Sequence, residues 1–252
     1  MELSLVPLLH VARSVYDVPR GPGRFEHYIR LMKAGADDDL FPLVALNPMA
    51  REYVSETLDR LIRMDAEGIA SDALSEALPR LTHIEGSYRL GLVLADDRGG
   101  GWTNRQYTEM ANRFSPRTGL KRGWVTTLLW SSETPDPETV RRETLAAAYR
   151  TAHFLRHGKP TTLRSMMTQE GRAAAFAGME PGIDEEELAY DRSTIDPVRD
   201  SDDLPVQFAA LYGDEAAKAV GYTPLGLSAR AGFEVALAEG RETGWAVGLE
   251  NP

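Results

Sequence analysis

The spacing of hydrophobic positions changes along this chain. Up to residue 79 they recur three and four apart, the repeat of one helical face. In "GRFEHYIRLMKAG", Phe25, Tyr28, Ile29 and Met32 share a side and Gly35 is placed to end the run. In "NPMAREYVSETLDRLIRMDAEG" the stripe is Tyr53, Val54, Leu58, Leu61 and Ile62. Asn47 reads as the cap of that helix, Pro48 as its first residue and Gly68 as its stop. The opening "MELSLVPLLHVARSVYD" also reads as an amphipathic helix and lacks the basic start of a signal peptide. A shorter helix, "SDALSEAL", ends at Pro79.

From Arg80 onward, short unbroken apolar runs replace the helical stripe. "YRLGLVLA" and "GWVTTLLWSS" are rich in strand-favouring residues and predict two strands. Between them, Thr103 and Gln106 have the spacing of a capping box opening "NRQYTEMANRF". A long helix follows in "TPDPETVRRETLAAAYRTAHFLRHG", with Asp136 as cap and Gly158 as stop. "TTLRSMMTQEGRAAAFAG" predicts another, closed by Gly178. "DRSTIDPVRDSDDLP" reads as an exposed loop or linker. "SARAGFEVALAEG" predicts a helix between Ser228 and Gly240, and "GWAVGLE" a final strand. The expected fold is α+β, predominantly helical with a small β-sheet of two to four strands. The expectation is one globular domain, 1–252, with a helical section over 1–79, an α/β-like middle over 80–178, and an acidic loop with C-terminal helices over 179–252.

Composition narrows the function. The 252 residues carry a formal net charge of -10, which disfavours a surface built to neutralise many phosphates, so no nucleic-acid partner is expected. There is no cysteine, which removes thiol catalysis, disulfides and cysteine-ligated metals. No segment approaches the roughly 18 consecutive apolar residues of a membrane span, so no membrane partner is expected either. A soluble, cytoplasmic protein is the expectation; its oligomeric state is not encoded legibly. The charge is unevenly spread. Glu180 to Glu215 holds twelve acids against two arginines, while Arg105 to Arg172 holds twelve basic residues against six acids. An anion-facing cleft and internal pairing of the two segments both fit these counts.

The stretch "GLVLADDRGGGWTNRQYTEM" carries the densest chemistry. A strand that runs through glycines into a helix presents unpaired amides and the positive end of the helix dipole, which suit an anion. Gly99, Gly100 and Gly101 would let the backbone approach a ligand, Arg98, Asn104 and Arg105 would hydrogen-bond a carboxylate or phosphate, and Trp102 would supply an apolar wall. The partner so implied is a small-molecule anion. Neither a P-loop nor a dinucleotide fingerprint is present, and a plain tight connection fits the glycines equally. Asp96 and Asp97 stand where the strand ends, a position suited to a catalytic or cation-binding carboxylate. Adjacent strand residues point to opposite faces, which would let only one of them face a given site.

Among five histidines, His153 and His157 lie four apart on the long helix, the spacing of many zinc pairs, although Phe154 replaces the glutamate of H-E-x-x-H. Their nearest helical neighbours include Arg142, Ala146 and Arg150, a polar face. His83 and Glu85 are two apart on an extended segment and form a candidate general-base pair, with Asp96 as a further catalytic candidate. Three readings stay open: a small-anion-binding protein, enzymatic or not; a metal-dependent hydrolase with a divalent ion on His153 and His157; and a protein-interaction domain whose acidic segment docks a basic partner.

Overall fold

Three parallel strands form the one sheet among the described residues, which in this computed structural model are 1–33, 40–81, 84–98, 102–246 and 249. The strands are β1 (Glu2–Leu5), β2 (Ser87–Ala95) and β3 (Trp124–Trp130), in spatial order β1-β2-β3. The central β2 is buried from Leu90 to Ala95 without alternation, the pattern of a parallel strand covered on both faces. Helices account for most of the rest, giving the predominantly helical α+β fold that the patterning implies.

The described residues divide into two compact units, Met1–Ala148 and Tyr149–Pro252. The first holds the sheet together with α1 (Leu9–Ser14), α2 (Pro22–Met32), α3 (Glu52–Arg63), α4 (Ala66–Ala77), α5 (Arg105–Phe114) and α6 (Arg117–Lys121). The chain does not begin as a helix. Leu3 and its neighbours pair with β2 in register Leu3↔Tyr88, and Pro7, which lacks an amide proton and disfavours helical geometry in Val6, keeps α1 from starting earlier. The Glu67 carboxylate accepts the amides of Leu8 and Leu9 at 2.6 and 2.9 Å, satisfying the start of α1. The run expected to form one helix from Asn47 to Gly68 is two. Asp65 adopts a left-handed conformation (φ 55) and its side chain accepts from Gly68 N at 3.3 Å, which opens α4. Val54, Leu58 and Leu61 of α3 are buried as their spacing predicts.

The long helix α7 (Pro137–His157) runs across the division between units. Asp136 caps it through the Thr139 amide at 2.9 Å, and Gly158 leaves it with φ 78, both as read from the sequence. The second unit continues with α8 (Leu163–Phe176), α9 (Glu185–Ile195), α10 (Leu204–Tyr212), α11 (Asp214–Ala219) and α12 (Ala231–Thr243). Helices α8 and α12 pack backbone to backbone: a Cβ at Gly171 would lie 1.9 Å from the Ala236 carbonyl oxygen, and one at Gly240 would lie 2.3 Å from the Gly171 carbonyl carbon. Gly240 is therefore a packing residue inside α12, which ends before Gly244; Arg230, not Ser228, precedes its first turn.

The segment expected as an exposed linker is helical in its first half, and only its mostly exposed stretch 200–203 connects helices. Asp184 caps α9 by accepting from Glu187 N at 2.9 Å, Asp191 and Ile195 are buried, and Arg199 pairs with Glu239 and Asp196. Its acidic surface concealed a helix whose few apolar positions suffice to seat it. Part of the opposed charge is spent internally, as in Arg164–Asp200 (2.7 Å), and Arg241, from outside the basic segment, meets Glu180 at 2.6 Å. In the stretch read as a final strand, Trp245, Ala246 and Leu249 are not in a strand, and Val247, Gly248 and Glu250 lie outside the described residues. No helix of the described residues is long and apolar enough to cross a membrane.

Candidate functional site

The register Ala95↔Trp130 places Asp96 beside Ser131, just past the carboxyl ends of β2 and β3. Asp96 is 1% exposed, yet no cation pairs with it among the described residues. Its charge is held by hydrogen bonds. Ser131 Oγ donates to Oδ1 at 2.8 Å, Asn47 Nδ2 to Oδ2 at 2.7 Å, and the Tyr53 hydroxyl lies 2.9 Å from each oxygen. The Arg98 amide adds a longer contact to Oδ1 at 3.3 Å. Four donors match the roughly four lone-pair sites of a carboxylate, as a buried charge without a cation requires. Burial, and then the hydrogen bond to Asp96, push the Tyr53 phenol up to about 12. Tyr16, whose hydroxyl donates to the Asn47 carbonyl at 2.6 Å, is raised first by burial and next by the Asp96 charge.

Asp97 joins the same cluster. It accepts from Ser132 N (2.9 Å) and Ser132 Oγ (2.6 Å), and Ser131 Oγ, whose one proton goes to Asp96, lies 3.2 Å from Asp97 Oδ1. Both carboxylates therefore reach one hydroxyl, because they lie beyond the last paired residue, where strand alternation no longer separates them. The Arg105 guanidinium completes the cluster, with Asp97 at 3.3 Å, Glu109 at 3.5 Å, a close ion pair to Glu133, and the Trp130 ring 4.9 Å below it. Burial opposes its charge, but Glu133, Glu109 and Asp97 outweigh burial and hold Arg105 above its ordinary value.

The segment leading into α5 is organised differently from the expected capping box. Asn104, not Thr103, is the cap, its Oδ1 accepting from Tyr107 N at 3.0 Å, while Thr103 Oγ1 donates to the Asp96 carbonyl at 2.6 Å. The amides of Arg105 and Gln106, in the first turn, have no intrahelical acceptor. Trp102 is 38% exposed and its indole donates to the Val44 carbonyl at 2.9 Å. Arg98 is exposed, its guanidinium 5.2 Å from the centre of the Tyr53 ring, and no carboxylate among the described residues pairs with it.

The fold thus gathers Asp96, Arg98, Trp102, Asn104 and Arg105 at one edge of the sheet. Gly99, Gly100, Gly101 and His83 lie outside the described residues. Glu85 is exposed ahead of β2, at the opposite end of that strand from Asp96, and the rise per strand residue separates the two by roughly 30 Å. Asn47, Tyr53, Ser131, Ser132 and Glu133 belong to the cluster but do not stand out in the sequence, where Asn47 reads as a cap and Tyr53 as core. One signal was available: "ADD" and "WSS" close two apolar runs, and parallel pairing of those runs would bring their ends together.

In the second unit, the rings of His153 and His157 lie next to one another on α7, tilted by 45°, with centroids 4.5 Å apart. His153 is 7% exposed, not on a solvated face, and its Nδ1 has no hydrogen-bond partner. Burial, then the neighbouring His157 and Arg172, depress its imidazole to about 4. His157 is exposed. No group of three or more histidine, aspartate or glutamate side chains suited to a metal ion occurs among the described residues. No family model, curated protein or solved structure matches this chain.

Proposed function

We propose that the unit Met1–Ala148 binds a small anionic molecule at the carboxyl edge of its sheet. Arg98 is the cationic contact, the amino end of α5 lies alongside, and Trp102 and Tyr53 supply aromatic surface. The observation that carries this reading is the contrast between two arginines. Arg105 is neutralised by three carboxylates, whereas Arg98 is exposed against a tyrosine ring without an acidic partner among the described residues. Carboxyl ends of parallel strands are the habitual ligand address in open sheets, since loops and helix amino ends converge there. The nearby Asp96 carboxylate keeps its negative charge, but its oxygens are taken up by Asn47, Tyr53 and Ser131, which leaves Arg98 as the group that meets an anion. The ligand class is a carboxylate or phosphate attached to a planar or apolar group, which the guanidinium and the rings would hold together. Arg105 then fixes the floor of the site by holding Asp97, Glu109 and Glu133, and Asn104 fixes the start of α5.

Titration calorimetry with benzoate, phenyl phosphate and inorganic phosphate tests the reading. Saturable binding that weakens more than tenfold in Arg98→Gln, with unchanged thermal stability, supports it. Failure of all three probes to bind, or equal affinity in Arg98→Gln, overturns it.

A further inference from the structure

We propose that His153 and His157 form a two-imidazole chelate for a borderline divalent transition-metal ion, such as Ni²⁺, Cu²⁺ or Zn²⁺, at the carboxyl-terminal turn of α7. Residues four apart on a helix bring their Cβ atoms within about 6 Å, and here the two rings stand 4.5 Å apart between centroids. That is close enough for both to reach one ion. The orphan Nδ1 of the buried His153 is the second observation. A buried polar atom without a partner is costly, and native structures seldom leave one without a ligand or water to fill the role. His157 is exposed and gives the pair an opening to solvent.

The surroundings decide the kind of ion. Two neutral imidazoles suit nickel, copper and zinc, and they do not suit magnesium or calcium, which take oxygen donors. Glu170 is near enough to act electrostatically on His153, but Arg150 Nε holds both of its oxygens at 3.0 Å. Arg172 acts on the same ring with the opposite sign. With no third ligand of this type among the described residues, water or a small molecule completes the coordination. The ion is therefore exchangeable, unlike the closed four-ligand ion of a structural zinc site. This site lies in the second unit and stands or falls apart from the anion site of the first.

The test uses the full chain without a histidine tag. Calorimetric titration with NiCl₂ and ZnCl₂ should show one saturable site, and the imidazole NMR signals of His153 and His157 should be the ones that shift or broaden. His157→Ala, at an exposed position, should weaken binding at least tenfold with the fold intact, while His10→Ala leaves it unchanged. Absence of saturable binding overturns the proposal. So does binding that survives His157→Ala, or signals that move at other histidines only.

Discussion

Ser131 Oγ donates to Asp96 Oδ1 at 2.8 Å while lying 3.2 Å from Asp97 Oδ1, so one fully buried hydroxyl joins two neighbouring carboxylates at the ends of two strands. Removing it leaves Asp96 short of a donor that no solvent can replace. Ser131→Ala should cost about 2 kcal/mol, the scale of a hydrogen bond to a charged group. Ser132→Ala, at an exposed residue, should cost under about half of that. Urea unfolding of the two variants compares them; equal effects would mean that Asp96 does not depend on Ser131.

Tyr53→Phe tests the same carboxylate from another side. The ring stays to pack beneath Arg98, and only the hydroxyl that lies 2.9 Å from both Asp96 oxygens is lost. A loss of about 1–2 kcal/mol is expected. Combining it with Ser131→Ala should give a non-additive result, because both donors serve one acceptor. Strict additivity in a double-mutant cycle would show that the two act separately.

Arg105 is expected to matter for stability more than for contact with any ligand. Arg105→Met leaves Asp97, Glu109 and Glu133 without their common cation, and about 2–3 kcal/mol should be lost. Arg105→Lys should recover only part of this, since an ammonium cannot reach three carboxylates in one plane while lying on the Trp130 ring. Thermal unfolding of the three proteins gives the order; full recovery in the lysine variant would reduce the cluster to simple charge neutralisation.

His153 sets a dependence on pH in the metal-free protein. Its folded-state value is lowered to about 4 from an ordinary 6.5, so between those limits the unfolded chain binds a proton that the folded chain refuses. The stability it contributes is fully present above 6.5 and is lost as pH falls toward 4. The complete loss is on the order of 3 kcal/mol. His153→Asn should flatten the fall in unfolding free energy between neutral pH and about pH 5. An unaltered slope would place the acid sensitivity in the carboxylates instead.

Gly171→Ala should be among the most damaging single-methyl additions in the chain. The new carbon would meet the Ala236 carbonyl at 1.9 Å, and backbone cannot step aside as a side chain can. A cost of about 3 kcal/mol or more is expected for such overpacking. Gly178→Ala, with nothing within 4 Å and φ 73, should cost only about 1 kcal/mol from its left-handed backbone. Denaturation midpoints of the pair separate crowding from conformation.

Sequence reading succeeded where a local rule and the folded environment agree. The apolar runs of β2 and β3, the Asp136 cap, the Gly158 exit and the buried stripe of α3 all follow from side chains within a few positions of each other. It failed where a distant partner overrules the neighbourhood. Leu3 and Leu5 alternate as a strand face would, but four residues running on into a helix are too short a signal until β2 offers a ladder. Asn47 does accept the Met49 amide at its Oδ1, 2.9 Å, as a cap would, but the turn it opens ends before α3, and nothing local shows its Nδ2 bonded to Asp96, forty-nine residues away. Gly240 resembles a terminator because nothing local reveals Gly171 pressed against it. In the candidate site, Arg98, Trp102, Asn104 and Arg105 were visible as one contiguous stretch. Ser131, Tyr53 and Asn47 were not, because only the sheet register and the path of the chain bring them there.

Helix α7 passes through the point at which the chain divides, so neither unit owns it whole. Cutting between Ala148 and Tyr149 would leave two stubs, each at or below the roughly 12–15 residues that a helix needs to persist alone in water. The halves are therefore poor cassettes. A gene rearrangement that traded one of them would have to carry the entire rod along, which ties the inheritance of the acidic C-terminal half to that of the sheet.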